Sequence, residues 1–184
     1  MKRIFKTAAL AGCLLALGAT SVACNGGEDA KDPSKLKGPK TDSGEVVDPE
    51  AERLYKEGLA DVTKYDAMAN GWTDATCDAT AKKFLDAASA QGGFFGSAVY
   101  MAGAAYHRCN NIEKAREHYK QVLDKTSDNP KSPVGHRARV QLARFDFAAS
   151  NGTAIDKAMG EYQKAIQDSE FQNVEALVEL ARLQ

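Results

Sequence analysis

An all-α fold made of short paired helices is what this sequence predicts, and three observations predict it. Apolar residues recur at three- and four-residue spacing through residues 49–184, and Asn-Gly, Asn-Asn and Asn-Pro steps interrupt that rhythm at regular turns. Sets of one large, one small and one large residue repeat along the chain, at Val99, Ala102 and Tyr106 and again at Ala115, Tyr119 and Val122. The composition agrees: 43% of residues are hydrophobic but there is a single Trp, so the core must come largely from Ala, Leu and Tyr, which suits closely spaced helical layers.

The 184 residues divide by composition into three parts. Residues 1–23 have a basic start at Lys2, Arg3 and Lys6, an apolar run over 8–17 and small residues at the end, the pattern of a cleaved export signal. The run is short for a membrane span of about 20 residues. Residues 24–47 are rich in Gly, Pro, Lys and Asp without periodicity, and predict a disordered tether that begins at Cys24, with a reach of roughly 25 Å. Residues 48–184 form the helical body, about three helix pairs plus a final helix.

Asp48-Pro49 opens the first helix, the Asp as N-cap and the Pro in the first turn, where its missing N–H does no harm. Tyr55, Gly58, Leu59, Val62 and Tyr65 make its stripe, and Asn70-Gly71 ends it. After a connection over 72–76 the second helix carries Phe84, Leu85 and Ala88, until Gln91-Gly92-Gly93 breaks the chain. The central unit, 98–130, holds two helices separated at Asn110-Asn111. Asn129-Pro130 and Ser132-Pro133 mark the next turn, before a helix over 134–149 with Val140, Ala143 and Phe147. Asn151-Gly152 closes that helix, and Gly152 or Thr153 is expected to cap the next, which runs through Ile155, Met159, Tyr162 and Ile166. A last helix, 174–183, carries Val174, Leu177, Val178, Leu180 and Leu183. It predicts either a cap or a neighbour supplied by more repeats, a partner or a second copy of the chain.

The triplets repeat between units. Val99, Ala102 and Tyr106 correspond to Tyr55, Gly58 and Val62 upstream and to Val140, Ala143 and Phe147 downstream. Ala115, Tyr119 and Val122 correspond to Thr80, Phe84 and Ala87, and to Ala158, Tyr162 and Ala165. The central unit on these residues resembles a tetratricopeptide repeat (TPR), and the resemblance extends with irregular spacing over about 49–184; Sel1-like repeats, with longer loops, are a related pattern. It implies an α/α superhelical solenoid of helix hairpins whose first helices line a concave groove for a peptide or partner helix. Carried onto this sequence, the groove face holds Ser97, Tyr100, Ala104, His107 and Arg108 in the central unit and Gln141, Phe145 and Ala148 in the next. The stretch Ser21-Val22-Ala23-Cys24 resembles the lipobox of bacterial lipoproteins, with Ser21 where that family usually has Leu. The likeness implies acylation of Cys24 and membrane attachment. TPR lipoproteins of Gram-negative bacteria work in envelope assemblies such as outer-membrane, pilus or secretin, and motility machinery. A lipid-anchored body at the outer membrane, facing the periplasm, is the corresponding expectation.

The body contains two cysteines, Cys77 and Cys109, each near the turn of a consecutive unit. Stacking would set those turns side by side, so a Cys77–Cys109 disulfide is expected, in keeping with an oxidising compartment. The rival grouping of Cys77, His107 and Cys109 as metal ligands lacks zinc-like spacing and a fourth ligand. His118 and His136 are expected at the surface. No nucleophile elbow, phosphate loop, H-E-x-x-H or nucleotide fingerprint is present, and carboxylates alternate with Lys and Arg as on solvated helix faces. The formal net charge is −1, and it falls to −4 without the three basic residues of the leader, which gives no electrostatic reason to bind nucleic acid. The expectation is therefore a non-enzymatic scaffold without cofactor or metal. A periplasmic lipoprotein that binds a small molecule or assists an enzyme is the alternative.

Overall fold

The computed structural model describes residues 39–41 and 44–184. The expected signal segment, the lipidated Cys24 and most of the expected tether lie outside the described residues. Within them the protein is all-helical: α1 (Pro49–Asp66), α2 (Asp74–Ala90), α3 (Gly96–Arg108), α4 (Ile112–Lys125), α5 (Pro133–Ala149), α6 (Ile155–Asp168) and α7 (Val174–Leu183). The one extended pairing among the described residues is an isolated antiparallel bridge between Lys40 and Val46.

Local signals place the helix starts. The Asp48 side chain accepts from the backbone N–H groups of Glu50 and Ala51 at the head of α1. Thr73 and Thr76 form a capping box on α2, which therefore begins inside the stretch expected as a connection. Asn111, Ser132 and Asn173 cap α4, α5 and α7 through their side chains. The α6 start differs from expectation: its N-cap is Ala154, without a side-chain bond, because the Thr153 hydroxyl donates instead to the Ser150 carbonyl at 2.9 Å. Asn70, Asn110 and Asn151 all have positive φ after α1, α3 and α5, the left-handed conformation that Asn tolerates better than most residues.

Each helix packs on the next in sequence, and α5 also touches both α3 and α7. Of the eighteen residues in the repeated triplets, all are buried except Tyr55 and Phe147, which are half-buried. Close approach requires small residues at the triplet's Gly58 and at Gly103, one position after the triplet's Ala102. A Cβ on Gly58 would lie 2.7 Å from the Phe84 ring, and one on Gly103 would lie 2.9 Å from the Tyr119 ring. Tyr119 and Tyr162 are each only 1% exposed, and Phe84 is fully buried.

The end of the expected tether is not free. Val47 is buried against Ala51, Ala87, Phe95 and Ala98. Gln91 fastens the same segment, accepting from the Asp48 N–H at 2.9 Å and donating to the Val46 carbonyl at 3.2 Å. An apolar Val beside the α1 cap gains more by covering the α1–α3 seam than by staying in water.

These contacts predict opposite outcomes for two helical glycines. Gly103→Leu should lower stability by about 1–3 kcal/mol through overpacking. Gly160, in α6 with open space around its Cβ position, should gain about 0.5–1 kcal/mol as Gly160→Ala. Urea midpoints of the two variants against the parent check both.

Candidate protein-binding groove

Residues of α3 and α5, with Tyr119 of α4 and Glu175 of α7, border a cavity of about 420 Å³. Five of the eight residues expected on the groove border it: Tyr100, Ala104, His107, Arg108 and Gln141. The other three do not. Ser97 is half-buried elsewhere on α3, Ala148 is exposed further along α5, and Phe145 is buried in the core, 6.0 Å from the Tyr119 ring and edge-on to His107 at 4.8 Å. Tyr100 also departs from the expected exposed anchor, because its ring stacks obliquely on Tyr119 at 5.0 Å and is 6% exposed.

The α5 face was displaced in sequence reasoning by a fraction of a turn. Arg137, Gln141 and Arg144 border the cavity, an i, i+4, i+7 row, whereas Gln141, Phe145 and Ala148 form the neighbouring row whose middle member faces inward. Two arginines seven residues apart, Arg137 and Arg144, are the readable signal for this row. Glu175, from α7, could not be found that way, since only the contact of α5 with α7 brings it here.

The polar groups of the cavity are mostly tied down. The Arg108 guanidinium donates to both oxygens of Asp66, at 3.0 and 3.2 Å, and the Trp72 indole N–H donates to the same carboxylate at 2.8 Å. The Arg108 hydrogen bonds, helped by Trp72, hold the Asp66 carboxyl below the usual carboxylate range despite partial burial. Glu175 accepts from Gln141 at 2.7 Å and from Arg144 at 3.1 Å. Burial pushes the Tyr100 phenol upward, partly offset by Arg137, whose guanidinium lies 4.7 Å from the Tyr100 ring centre. Burial likewise raises Tyr119. His107 is shifted down by burial and by Arg144 and Arg108.

A larger cavity of about 590 Å³ lies at the start of α5 and the α6–α7 turn, and Arg137 and Glu175 border it as well as the first. His136 and Asn173 line it and are 5% and 9% exposed. The expectation of surface histidines is thereby corrected. His136 is enclosed where α5 packs on α6, and His118 is half-buried with its ring stacked on Tyr106 at 5.7 Å.

Cys77, 1% exposed in the first turn of α2, is bridged to Cys109, the C-cap of α3, with Cα atoms 6.4 Å apart. The two sulfurs are thus bonded to each other and not available as ligands beside His107. Among the described residues, no cluster of three His, Cys, Asp or Glu side chains is placed to hold a metal ion, and no helix is long and apolar enough to cross a membrane.

No protein-family model matches the chain, and no curated protein matches it.

Two measurements follow from this site. Cys77→Ser with Cys109→Ser should cost about 3–4 kcal/mol by releasing a 32-residue separation in the unfolded chain, read as a drop in urea midpoint. All three described histidines have lowered proton affinity, each chiefly from burial. Below about pH 6.5 the unfolded chain therefore binds more protons on them than the folded chain does, and stability falls as pH drops through that value toward the folded-state pKa values. Urea midpoints from about pH 7.5 to 5 should decline, and His136→Gln should flatten the decline.

Proposed function

We propose that this chain is a non-enzymatic interaction scaffold, whose helix pairs stack in the manner of TPR-like hairpins and hold a partner polypeptide along the trough bounded by α3, α5 and α7. The observation that carries the reading is the placement of alternate helices. With α5 touching both α3 and α7, the two cavities share the walls Arg137 and Glu175 and run on from one another. Their combined size suits an extended segment or one face of a helix better than a buried small ligand, and helix-in-groove or extended-peptide recognition uses such a surface.

The sequence supports the setting. The leader-like 1–23 and the lipobox-like 21–24 favour an exported chain acylated at Cys24, so that the body works in the cell envelope within reach of a membrane, and the Cys77–Cys109 bridge fits an oxidising compartment. The partner is a protein of an envelope assembly, and catalysis is not part of the role.

A photo-crosslinking amino acid at Met101, which borders the groove, should give discrete protein adducts in the native cells, whereas the same group at exposed Lys120 on α4 should give none. Equal adducts at the two positions, or none at Met101, would overturn the groove. Separately, globomycin should cause a longer precursor to accumulate if Cys24 is acylated.

A further inference from the structure

The charges around the trough are balanced except at one place. Of the described arginines, Arg53, Arg108, Arg116, Arg139, Arg144 and Arg182 each pair with a carboxylate. Arg137 has none within 4.0 Å among the described residues; it lies over the Tyr100 ring and interacts with the Tyr100 hydroxyl. The carboxylates bordering the larger cavity are all engaged: Asp168 with Lys164 at 3.1 Å, Glu170 with Lys131 at 2.5 Å and Glu175 with Arg144 at 3.1 Å. Arg137 thus leaves one uncompensated positive charge at the wall common to both cavities. The guanidinium lies over Tyr100 and the residue is otherwise exposed, so the five N–H donors of an arginine are more than this one neighbour can occupy.

Beside that charge the surface turns apolar. Val174 borders the larger cavity and is 69% exposed, and Phe171, which lies between the bordering Glu170 and Gln172 without itself lining the cavity, is 70% exposed. The backbone there is unusual: Glu170 and Phe171 have φ of 52° and 65°, where the turns after α1, α3 and α5 use Asn and the turn after α2 uses Gly92. A bulky aromatic in the left-handed region is costly and is kept only where the surroundings enforce it. The result is an aromatic ring presented to solvent at the edge of a charged trough, a composition enriched at binding hot spots.

We propose that the partner segment held in this trough joins an acidic side chain to a bulky apolar one: a carboxylate pairs with Arg137, and an apolar residue within about three positions of it covers Val174 and Phe171. The proposal rests on the groove reading and names the chemistry of its occupant. Charge complementarity selects it. A basic segment would meet Arg137 with like charge, and a polyanion would meet the engaged carboxylates Asp168, Glu170 and Glu175 for the sake of one free cation. A carboxylate on a side chain matches a single guanidinium.

The test is selection of a random dodecapeptide phage library on the full chain, with recovered peptides synthesised and titrated by fluorescence anisotropy. Recovered sequences should share Asp or Glu within three positions of Phe, Leu, Ile or Val. Their affinity should fall about tenfold or more for Arg137→Glu and for Val174→Asp, fall less for Arg137→Lys, which keeps the charge without the planar fork, and weaken with added NaCl. Arg137→Gln, which keeps an exposed polar side chain, guards against misfolding and should weaken binding as well. Peptides that lack the acidic residue, or that bind Arg137→Glu and Arg137→Gln like the parent, overturn the assignment and leave the groove standing. Recovery of no binding peptide, or of peptides indifferent to both Arg137→Glu and Met101→Glu, overturns the groove with it.

Discussion

The close approach of helices through a small residue facing an aromatic ring is the constraint on which the rest of this structure depends. Gly58 against Phe84 and Gly103 against Tyr119 leave no room for a Cβ, so α1 sits tightly on α2 and α3 on α4. Ala143 takes the same place in α5, in the cluster with Ala158 and Tyr162. These are short helices with modest intrinsic stability, and most of their order must come from tertiary packing. A large ring lying over a small residue supplies that packing with a broad contact and little side-chain entropy to lose. Once the pairs are set at this spacing, alternate helices fall beside one another, and α3, α5 and α7 can share a surface.

Much of this was legible before any coordinates, because it depends on local spacing. The triplet positions, the Asp48 cap, the Asn turns and the 174–183 helix follow from period, capping and turn chemistry that act within a few residues. What the sequence did not show depends on contacts between distant parts. The α5 groove row was misplaced because both Gln141, Phe145, Ala148 and Arg137, Gln141, Arg144 are valid helical rows. Only the packing of α5 on α3 and α4 decides that Phe145 turns inward. His136 was expected outside because imidazole is polar, yet helix packing enclosed it, and its proton affinity fell in consequence. Val47 was assigned to a tether on composition, and its burial comes from neighbours 40 and more residues away, Ala87, Phe95 and Ala98.

Repetition brings a second problem. If several helices carry the same large, small, large face, apolar packing alone discriminates poorly between correct and shifted partners. The ion pairs between helices supply the discrimination. Lys83 reaches Asp61 from α2 to α1, Lys114 reaches Asp78 from α4 to α2, Arg116 reaches Asp146 from α4 to α5, and Arg139 reaches Glu161 from α5 to α6. Half-exposed pairs of this kind each contribute little to stability, on the order of 0–1 kcal/mol. Their effect is on choice: a helix docked on the wrong neighbour would leave several of these charges facing like charges or none.

In that setting Arg137 has a distinct meaning. A charge that selected a helix neighbour would be paired in the folded chain, as the other described arginines are. Arg137 is instead laid on the Tyr100 ring, at a wall that α3, α5 and α7 build together, next to exposed Val174. Tyr100 is almost fully buried, so the ring under the cation belongs to the core while Arg137 itself is exposed. The packing that orders the helix pairs thus also sets the ring over which one positive charge lies in the trough. Stability and recognition meet at Tyr100: the ring that packs on Tyr119 between α3 and α4 is the ring over which Arg137 lies.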